Sequence, residues 1–171
     1  LPTEAEWEFA ARGGTSTPYF FEGSPKDFEP GGFLKNLFGS KNENINNYVV
    51  WYGNSPAKTQ QPESVEANPF GLKNMLGNVA EFCLDYYDPQ VYAKYPKGVV
   101  KNPRGPRTGA EHVVRGGSFK NSAKDLRAAR RDFTKTEAWL VTDPQIPKSI
   151  WWYSDVKDVG FRVVCEFDSK K

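Results

Sequence analysis

The most informative stretch of this 171-residue sequence is Asn68-Pro69-Phe70-Gly71-Leu72-Lys73-Asn74-Met75-Leu76-Gly77-Asn78-Val79-Ala80-Glu81-Phe82. Within eight residues it sets an amide side chain at Asn74, a glycine turn at Gly77 and a carboxylate at Glu81. Such hard oxygen ligands on a tight loop suit Ca²⁺, which takes about 6–8 oxygens and accepts backbone carbonyls. Asn side chains also hydrogen-bond the backbone in ordinary turns. The residues alone therefore leave two interpretations open, a calcium loop and a hydrogen-bonded turn.

The composition around this stretch predicts one folding unit with little regular secondary structure. A chain of 171 residues is long enough for one domain with a sizeable core and leaves little room for two. Its apolar content lies in large side chains, with 5 Trp, 8 Tyr and 12 Phe, whereas 15 Gly and 13 Pro are scattered along the chain. No apolar run approaches the ~18 residues of a membrane-spanning helix. We expect a single domain over residues 1–171, with structured loops pinned by aromatic side chains and no transmembrane segment.

Charge is distributed unevenly along the chain. Residues 1–85 carry 6 Lys/Arg and 11 Asp/Glu, a net of −5, whereas residues 86–171 carry 17 and 10, a net of +7. The overall net charge of +2 argues against a general polyanion binder, and no nucleic-acid partner is expected. The second half forms either a locally basic surface or an ordinary solvated face.

The first residues predict a short capped helix. Thr3 is followed three residues later by Glu6, which is the pattern of a capping box. Gly13 is suited to end the helix in a left-handed turn. We expect the core-facing stripe of this helix to be apolar, consisting of Leu1, Ala5, Phe9 and Ala10.

The clearest strand pattern is an alternation of apolar and polar residues over residues 161–167. Phe161, Val163 and Cys165 share one face of an extended segment, as in a half-buried antiparallel strand. This predicts that Cys165 lies in a core, either as an inert thiol or in a disulfide with Cys83.

Common catalytic motifs are not found in the sequence. The single histidine, His112, is followed by two valines and is expected to be a surface residue at a strand end. The two cysteines lie in no nucleophile or zinc motif, and the Gly-Gly pairs lack the spacing of a phosphate loop. Hydrolase and nucleotide-binding functions are therefore not predicted.

Separate blocks of the sequence occur in a specific order: Leu1-Pro2-Thr3-Glu4-Ala5-Glu6-Trp7-Glu8-Phe9-Ala10-Ala11-Arg12-Gly13, then Asn68-Pro69-Phe70-Gly71-Leu72 with Gly77-Asn78-Val79-Ala80-Glu81-Phe82, then Arg115-Gly116-Gly117-Ser118-Phe119, Arg127-Ala128-Ala129-Arg130 and Gly160-Phe161-Arg162. In this order they resemble the sulfatase-modifying-factor family, whose best-known member is the formylglycine-generating enzyme. Such domains usually have a further stretch before the first block, so we expect this chain to lack the family's N-terminal portion.

The resemblance implies an α+β, C-type-lectin-like fold with low regular secondary-structure content and long structured loops. It also implies that Ca²⁺ is the cofactor. The implied ligands are the side chains of Asn74 and Glu81 and the backbone carbonyls of Gly77 and Val79.

For activity, the resemblance implies oxidation of a substrate cysteine to formylglycine, with O₂ and with copper held by a cysteine pair just after the Gly-Gly-Ser block. The sequence departs from that pattern, because residues 119–129 contain no cysteine. Soft thiolates select Cu(I), and the Lys, Asn and Asp side chains present here do not replace them. Copper is therefore not expected, and no catalytic residue is predicted.

The family's substrate groove borders the Gly-Gly-Ser block. Its arginines either face a ligand or pair with nearby acids such as Asp125, and Ser122 three residues before Asp125 predicts a short capped turn. The expected lining of the groove is Ser118, Phe119, Arg127, Arg130, Trp151 and Trp152.

These features predict a non-catalytic binding or scaffold module with a protein or peptide partner. Two alternatives stay open, a modifying enzyme of the formylglycine-generating type with unidentified chemistry, and a lectin-like domain that displays ligands, including carbohydrate. Residues 139–153 resemble a subgroup of the family that occurs in secreted or lipid-anchored envelope proteins. The resemblance thus implies an extracytoplasmic or envelope-associated protein.

Overall fold

The computed structural model describes residues 1–29, 43–149 and 152–165. Helices in these parts are few and mostly of one turn. They are α1 (Glu4–Arg12), α2 (Pro25–Phe28), α3 (Ile45–Tyr48), α4 (Val91–Lys94) and α5 (Thr136–Trp139), with 3₁₀ turns at Pro62–Ser64 and Ala123–Leu126. None of the helices in the described ranges is long and apolar enough to cross a membrane.

The strands form one mixed sheet. They are β1 (Ala80–Tyr86), β2 (His112–Arg115), β3 (Arg131–Phe133) and β4 (Val159–Gly160), in the order β3-β2-β1-β4. β1 pairs antiparallel with β2, β2 pairs antiparallel with β3, and the short β4 runs parallel to β1. The mixture of one sheet with short helices and long loops confirms the predicted α+β class and the low content of regular structure.

The core is aromatic and lies under the loops between the first helices. Tyr19 and Phe21 stack with their ring centroids 5.0 Å apart, and Phe21 stacks on Tyr48 at 5.0 Å. The buried Tyr19 hydroxyl donates to the carbonyl of Ala123 at 2.6 Å, which ties this loop to the second 3₁₀ turn. The predicted turn at Ser122 is formed, but its side-chain cap is not, because the Ser122 hydroxyl donates to an Asp125 carboxylate oxygen at 3.0 Å and forms no cap to the backbone. Aromatic side chains thus pin the loops, as the composition indicated.

The termini of α1 agree with the sequence prediction, but its buried face does not. Thr3 and Glu6 form the capping box, and Gly13 ends the helix with φ 55°. The predicted apolar stripe is wrong for Leu1, Phe9 and Ala5, because Leu1 is 50% exposed, Phe9 is 68% exposed and Ala5 is only half-buried. Ala10 is half-buried and does pack against the core. The buried residues of α1 are Glu4, Trp7 and Ala11.

A buried ion network explains why a charged face of α1 points inward. Arg115 on β2 is 1% exposed, and its guanidinium donates to the carboxylates of Glu4 at 2.6 Å and Glu8 at 2.5 Å. Arg131 on β3 also donates to Glu4, at 2.6 and 2.9 Å. The ring of Trp7 lies against the Arg115 guanidinium, 5.2 Å from its carbon to the ring centroid. A buried guanidinium requires paired carboxylates, so the ion network, and not apolar periodicity, orients the helix.

The predicted strand over residues 161–167 is not formed in its described part. Regular pairing ends at Gly160, and residues 161–165 are irregular. Phe161 is 70% exposed and Val163 is 78% exposed, because it is Arg162, on the opposite face, that is anchored inward by Glu81. The core placement of Cys165 is likewise wrong, since this residue is exposed. Cys83 is a buried thiol and neither cysteine is in a disulfide, so the alternative of a bond between Cys83 and Cys165 is wrong.

We predict that Arg115→Ala lowers the free energy of unfolding by about 3–5 kcal/mol, because it leaves Glu4 as a buried charge with less compensation. Urea unfolding measures this loss. The control is Lys94→Ala, whose ammonium pairs with Asp88 but is 66% exposed, and which should cost about 0–1 kcal/mol. Equal, small losses in the two variants would contradict a structural role for the network.

Candidate functional site

A cleft of about 170 Å³ opens beside the Gly116-Gly117-Ser118 turn that follows β2. Both glycines have positive φ, 86° and 65°. A Cβ at Gly116 would lie 3.0 Å from the Met75 carbonyl and 3.0 Å from the Trp7 ring, and one at Gly117 would lie 2.7 Å from the Leu126 side chain. The turn therefore needs glycine for its backbone conformation and for its close packing.

The walls of the cleft carry charges of both signs and two aromatic rings. One side includes the half-exposed pair of Arg130 and Asp125, whose Nε and Oδ1 atoms are 3.5 Å apart. The ring of Trp139, on the short helix α5, packs edge to face on Tyr153 with centroids 5.2 Å apart. The other charged and aromatic lining residues are Arg115, Asp132, Phe133, Lys135 and Asp158.

Ser118 lies at the base of the cleft and is held on two sides. It is 1% exposed, and its hydroxyl donates to an Asp158 carboxylate oxygen at 2.8 Å. Its backbone N–H donates to the Asn121 side-chain oxygen at 2.8 Å. The Lys120 ammonium pairs with the other Asp158 oxygen at 2.8 Å. These contacts fix the base of the cleft, and the half-exposed Arg130 and Asp125 side chains are charges that a polar partner can reach.

The stretch from Asn74 to Glu81 is a turn with one unused oxygen. Asn74 has φ 52°, and its side-chain Oδ1 is buried with no hydrogen-bond partner. Gly77 has φ 73°, and its N–H donates to the Gly116 carbonyl at 2.9 Å, so the turn packs against the cleft. An unpartnered buried oxygen is costly, and a cation would satisfy it.

The Glu81 carboxylate already accepts hydrogen bonds from one neutral and one cationic side chain. Trp7 Nε1 donates to it at 2.7 Å, and Arg162 Nε and Nη2 donate to it at 2.6 Å each. Arg162 Nη2 also reaches the carbonyl of Asn74 at 3.2 Å. In the described ranges no group of three or more His, Cys, Asp or Glu side chains is placed to hold a metal. A cation here would depend on Glu81, the Asn74 amide and backbone carbonyls, a donor set that Ca²⁺ accepts.

Comparison with known proteins identifies the family of the chain. The model of the family described as "Sulfatase-modifying factor enzyme 1-like domain" matches residues 1–139. The chain belongs to this family.

Two relatives show how far the similarity extends. This sulfatase-modifying-factor domain is 39% identical over 121 residues to the formylglycine-generating enzyme of Streptomyces coelicolor, covering 70% of this chain and 35% of that protein. It is 34% identical over 134 residues to the serine/threonine-protein kinase pkn1 of Chlamydia pneumoniae, covering 77% of this chain and 18% of that protein. The domain thus spans about a third or less of the length of these relatives.

Solved structures agree on the fold. Treponema denticola variable protein 1 superposes with a TM-score of 0.61 and 28% identity, covering 94% of this chain and 45% of that one. PvdO from Pseudomonas aeruginosa superposes with a TM-score of 0.57 and 23% identity, covering 78% of this chain and 46% of that one. The second likeness shows the fold alone.

The structure brings together only some of the residues predicted to line the groove. Ser118 and Arg130 line the cleft. Phe119 does not, because its ring is buried in a separate cluster with Val50 and Val65. Arg127 is exposed outside the lining, with its Nε donating to the Lys124 carbonyl at 2.7 Å.

The two tryptophans predicted to line the groove are not found in the lining of the cleft. Trp152 is 50% exposed but does not line the cleft, and Trp151 lies outside the described residues. Sequence reasoning missed Trp139 and Asp158, which line the cleft from segments after the Gly-Gly-Ser block. The signal for Asp158 was its position just before the Gly160-Phe161-Arg162 block, which brings it to β4 beside β1.

The cysteines of the domain do not fit a copper pair. Cys83 lies on β1 at 0% exposure, and burial raises the pKa of its thiol well above the usual range. Cys165 is exposed in the segment after β4. Among the described residues that line the cleft there is no cysteine, and His112 lies apart, packed against Tyr86 with ring centroids 4.1 Å apart and the rings tilted by 31°. The donor set therefore disagrees with the family's copper site.

We predict that the domain does not oxidise a cysteine peptide. Incubation with Cu(I), O₂ and a cysteine-containing sulfatase peptide should leave the peptide mass unchanged, because Cu(I) requires soft ligands that the cleft lacks. Mass spectrometry reads the result, with the Streptomyces coelicolor formylglycine-generating enzyme as the positive control. A loss of mass at the peptide cysteine above background would show that this domain is an enzyme.

Proposed function

We propose that this sulfatase-modifying-factor domain is a non-catalytic binding module that holds a protein segment in the cleft beside Ser118. One observation supports the proposal: the cleft keeps its Gly-Gly-Ser turn and its charged, aromatic walls, while both cysteines lie elsewhere. A scaffold and its groove can persist without the chemistry of a family, because function resides in the site and not in the fold.

The size and lining of the cleft favour a polypeptide partner. At about 170 Å³ it is smaller than most pockets for drug-sized molecules, which are about 300–1,000 Å³. It is large enough for one or two side chains of an extended segment. Arg130 and Trp139 are of the residue types that most often dominate binding energy, because each combines a large contact area with directional donors.

We also propose that the protein works outside the cytoplasm, associated with the cell envelope. The support is the resemblance of residues 139–153 to a subgroup of secreted or lipid-anchored proteins. A scaffold role fits such a setting, because a short domain that binds a segment of a partner protein can hold larger proteins together.

We infer that Ca²⁺ binds the Asn74–Glu81 turn. The support is the buried, unpartnered Oδ1 of Asn74, together with the Glu81 carboxylate that Arg162 holds near the Asn74 backbone. The carbonyls of Gly77 and Val79 would complete the protein ligands. The positive charge of bound Ca²⁺ would stabilise the turn that packs against the cleft.

For the cleft, we predict that peptides selected from a display library on the native domain depend on Arg130. Arg130→Ala should weaken their binding by about 2 kcal/mol, or roughly 30-fold in Kd, because it removes a central donor. The melting temperature should stay nearly unchanged, since Arg130 pairs with Asp125 at the surface. Fluorescence anisotropy with a labelled peptide measures the affinity.

The matched control for the cleft is Arg127→Ala, which removes an exposed arginine outside the lining. It should leave peptide affinity within about twofold. If the two variants bind the selected peptides equally well, the cleft is not the binding site.

For the metal, we predict that Ca²⁺ stabilises the domain and that Asn74→Gly removes most of this effect. Gly tolerates the left-handed backbone of Asn74 but lacks its oxygen. At about 100 times Kd, Ca²⁺ should add roughly 2.7 kcal/mol to the free energy of unfolding. Thermal melts with added Ca²⁺ and with excess chelator measure the difference.

Two further variants complete the calcium test. Glu81→Gln should also remove most of the response, since it removes the only side-chain charge of the set. Asn78→Gly is the matched control, because Asn78 has φ 60° and its side chain bonds to Gln60, so the Ca²⁺ response should persist. If excess chelator leaves the melting temperature of the parent protein unchanged, the stretch is a hydrogen-bonded turn and not a Ca²⁺ site.

A further inference from the structure

Residues 95–107 form a surface loop that is held at its neck, and we call this segment the basic loop. The Tyr95 hydroxyl donates to the Arg104 carbonyl at 3.1 Å, which closes the loop on itself. The Gly105 N–H donates to the carboxylate of Asp85, a buried residue of β1. Between these anchors, all residues from 96 to 102 except Val100 are exposed. The loop therefore projects from a fixed base, as Ω-loops do.

The charge of the basic loop is not neutralised within the protein. No Asp or Glu occurs between residues 89 and 110, while this span carries five Lys/Arg. Lys97, Lys101, Arg104 and Arg107 are exposed, and none of them forms an ion pair within the described ranges. By contrast, the arginines near the sheet are paired with carboxylates at short distance. The loop is thus a concentrated positive surface, although near the neck Arg104 shares clefts with the acidic residues Glu6 and Asp85, and Arg107 shares the second of these clefts.

The tip of the basic loop is apolar. Val99 is 95% exposed and lies between Lys97 and Lys101 in the sequence. Tyr92, which is 55% exposed, lies next to the neck, with its ring 6.0 Å from that of Tyr95. An exposed apolar side chain flanked by two lysines matches the lipid interface, where apolar atoms enter the acyl boundary and long cationic side chains stay at headgroup level.

We propose that the basic loop docks on an anionic lipid surface. Lys97, Lys101, Arg104 and Arg107 face the lipid phosphates and carboxylates, and Val99 enters the interface. A nucleic acid or an anionic polysaccharide would match the charges but would leave Val99 in water. The combination of the apolar tip with unpaired cations therefore favours a lipid surface, and this site is independent of the cleft.

Electrostatics sets the expected strength of docking. Each Lys or Arg close to an anionic membrane increases partitioning about fivefold. The four cations should therefore raise partitioning by a few hundredfold over a neutral membrane. Since the Debye length shortens from about 10 Å to about 3 Å between 0.1 M and 1 M salt, this gain should be lost at high salt.

The experiment is co-sedimentation of the full chain with vesicles of phosphatidylcholine containing about 30% phosphatidylserine, compared with pure phosphatidylcholine. We expect binding to the anionic vesicles at about 0.1 M salt and release near 1 M. Equal binding to both vesicle types, or no binding to either, would overturn the proposal.

Two pairs of variants locate the contact. Lys97→Ala/Lys101→Ala should lower partitioning about 20-fold, whereas Lys58→Ala/Lys124→Ala, which removes the same charge from exposed sites elsewhere, should not. Val99→Asp should also weaken binding, whereas Val141→Asp, at another exposed valine, should not. All four variants change exposed side chains, so unchanged melting temperatures verify folding.

The variants also separate a lipid surface from other polyanions. If Val99→Asp binds the anionic vesicles as well as the parent, or if both charge variants lose binding equally, the loop is not a lipid-docking site. The protein could instead bind heparin more strongly than the vesicles, with heparin binding unchanged in Val99→Asp. In that case the loop binds a soluble polyanion and not a lipid surface.

Discussion

The buried guanidinium of Arg115 is the constraint on which the arrangement of the domain depends. Once removed from water it needs carboxylates, and Glu4 and Glu8 supply them from α1. This pairing fixes the rotation of α1 over the sheet, so that Trp7 lies against Arg115 and its Nε1 reaches Glu81. One ionic contact thereby determines which face of the helix is buried and which groups reach the next strand.

The contact between Arg115 and α1 also affects the geometry of the two candidate sites. Arg115 is followed directly by Gly116, whose lack of a side chain admits the Trp7 ring and the Met75 carbonyl. The cleft at Ser118 and the turn at Asn74 are therefore parts of one packed unit, and core contacts set the geometry of both. This explains how a member of the family can keep a well-formed cleft while its cysteines fit no copper site.

Charge in this domain has two structural roles. Close to the sheet, arginines such as Arg131 and Arg162 are matched by Glu4 and Glu81 and hold elements together. In the basic loop of residues 95–107 the cations are exposed and form no ion pair among the described residues. The positive charge of the second half of the chain is thus partly paired inside the fold, and four of its exposed cations lie together on the basic loop.

The sequence by itself determined the features that depend on a few neighbouring residues. The Thr3 capping box, the helix end at Gly13 and the low content of regular structure follow from local hydrogen bonding and backbone preference, and the missing cysteine pair is a matter of composition. Only the tertiary structure decided that Glu4 faces inward, because its partner Arg115 lies 111 positions away. It also decided that Asp158 joins the cleft. Local patterns set backbone conformation, whereas burial of a charge depends on finding a distant counter-ion.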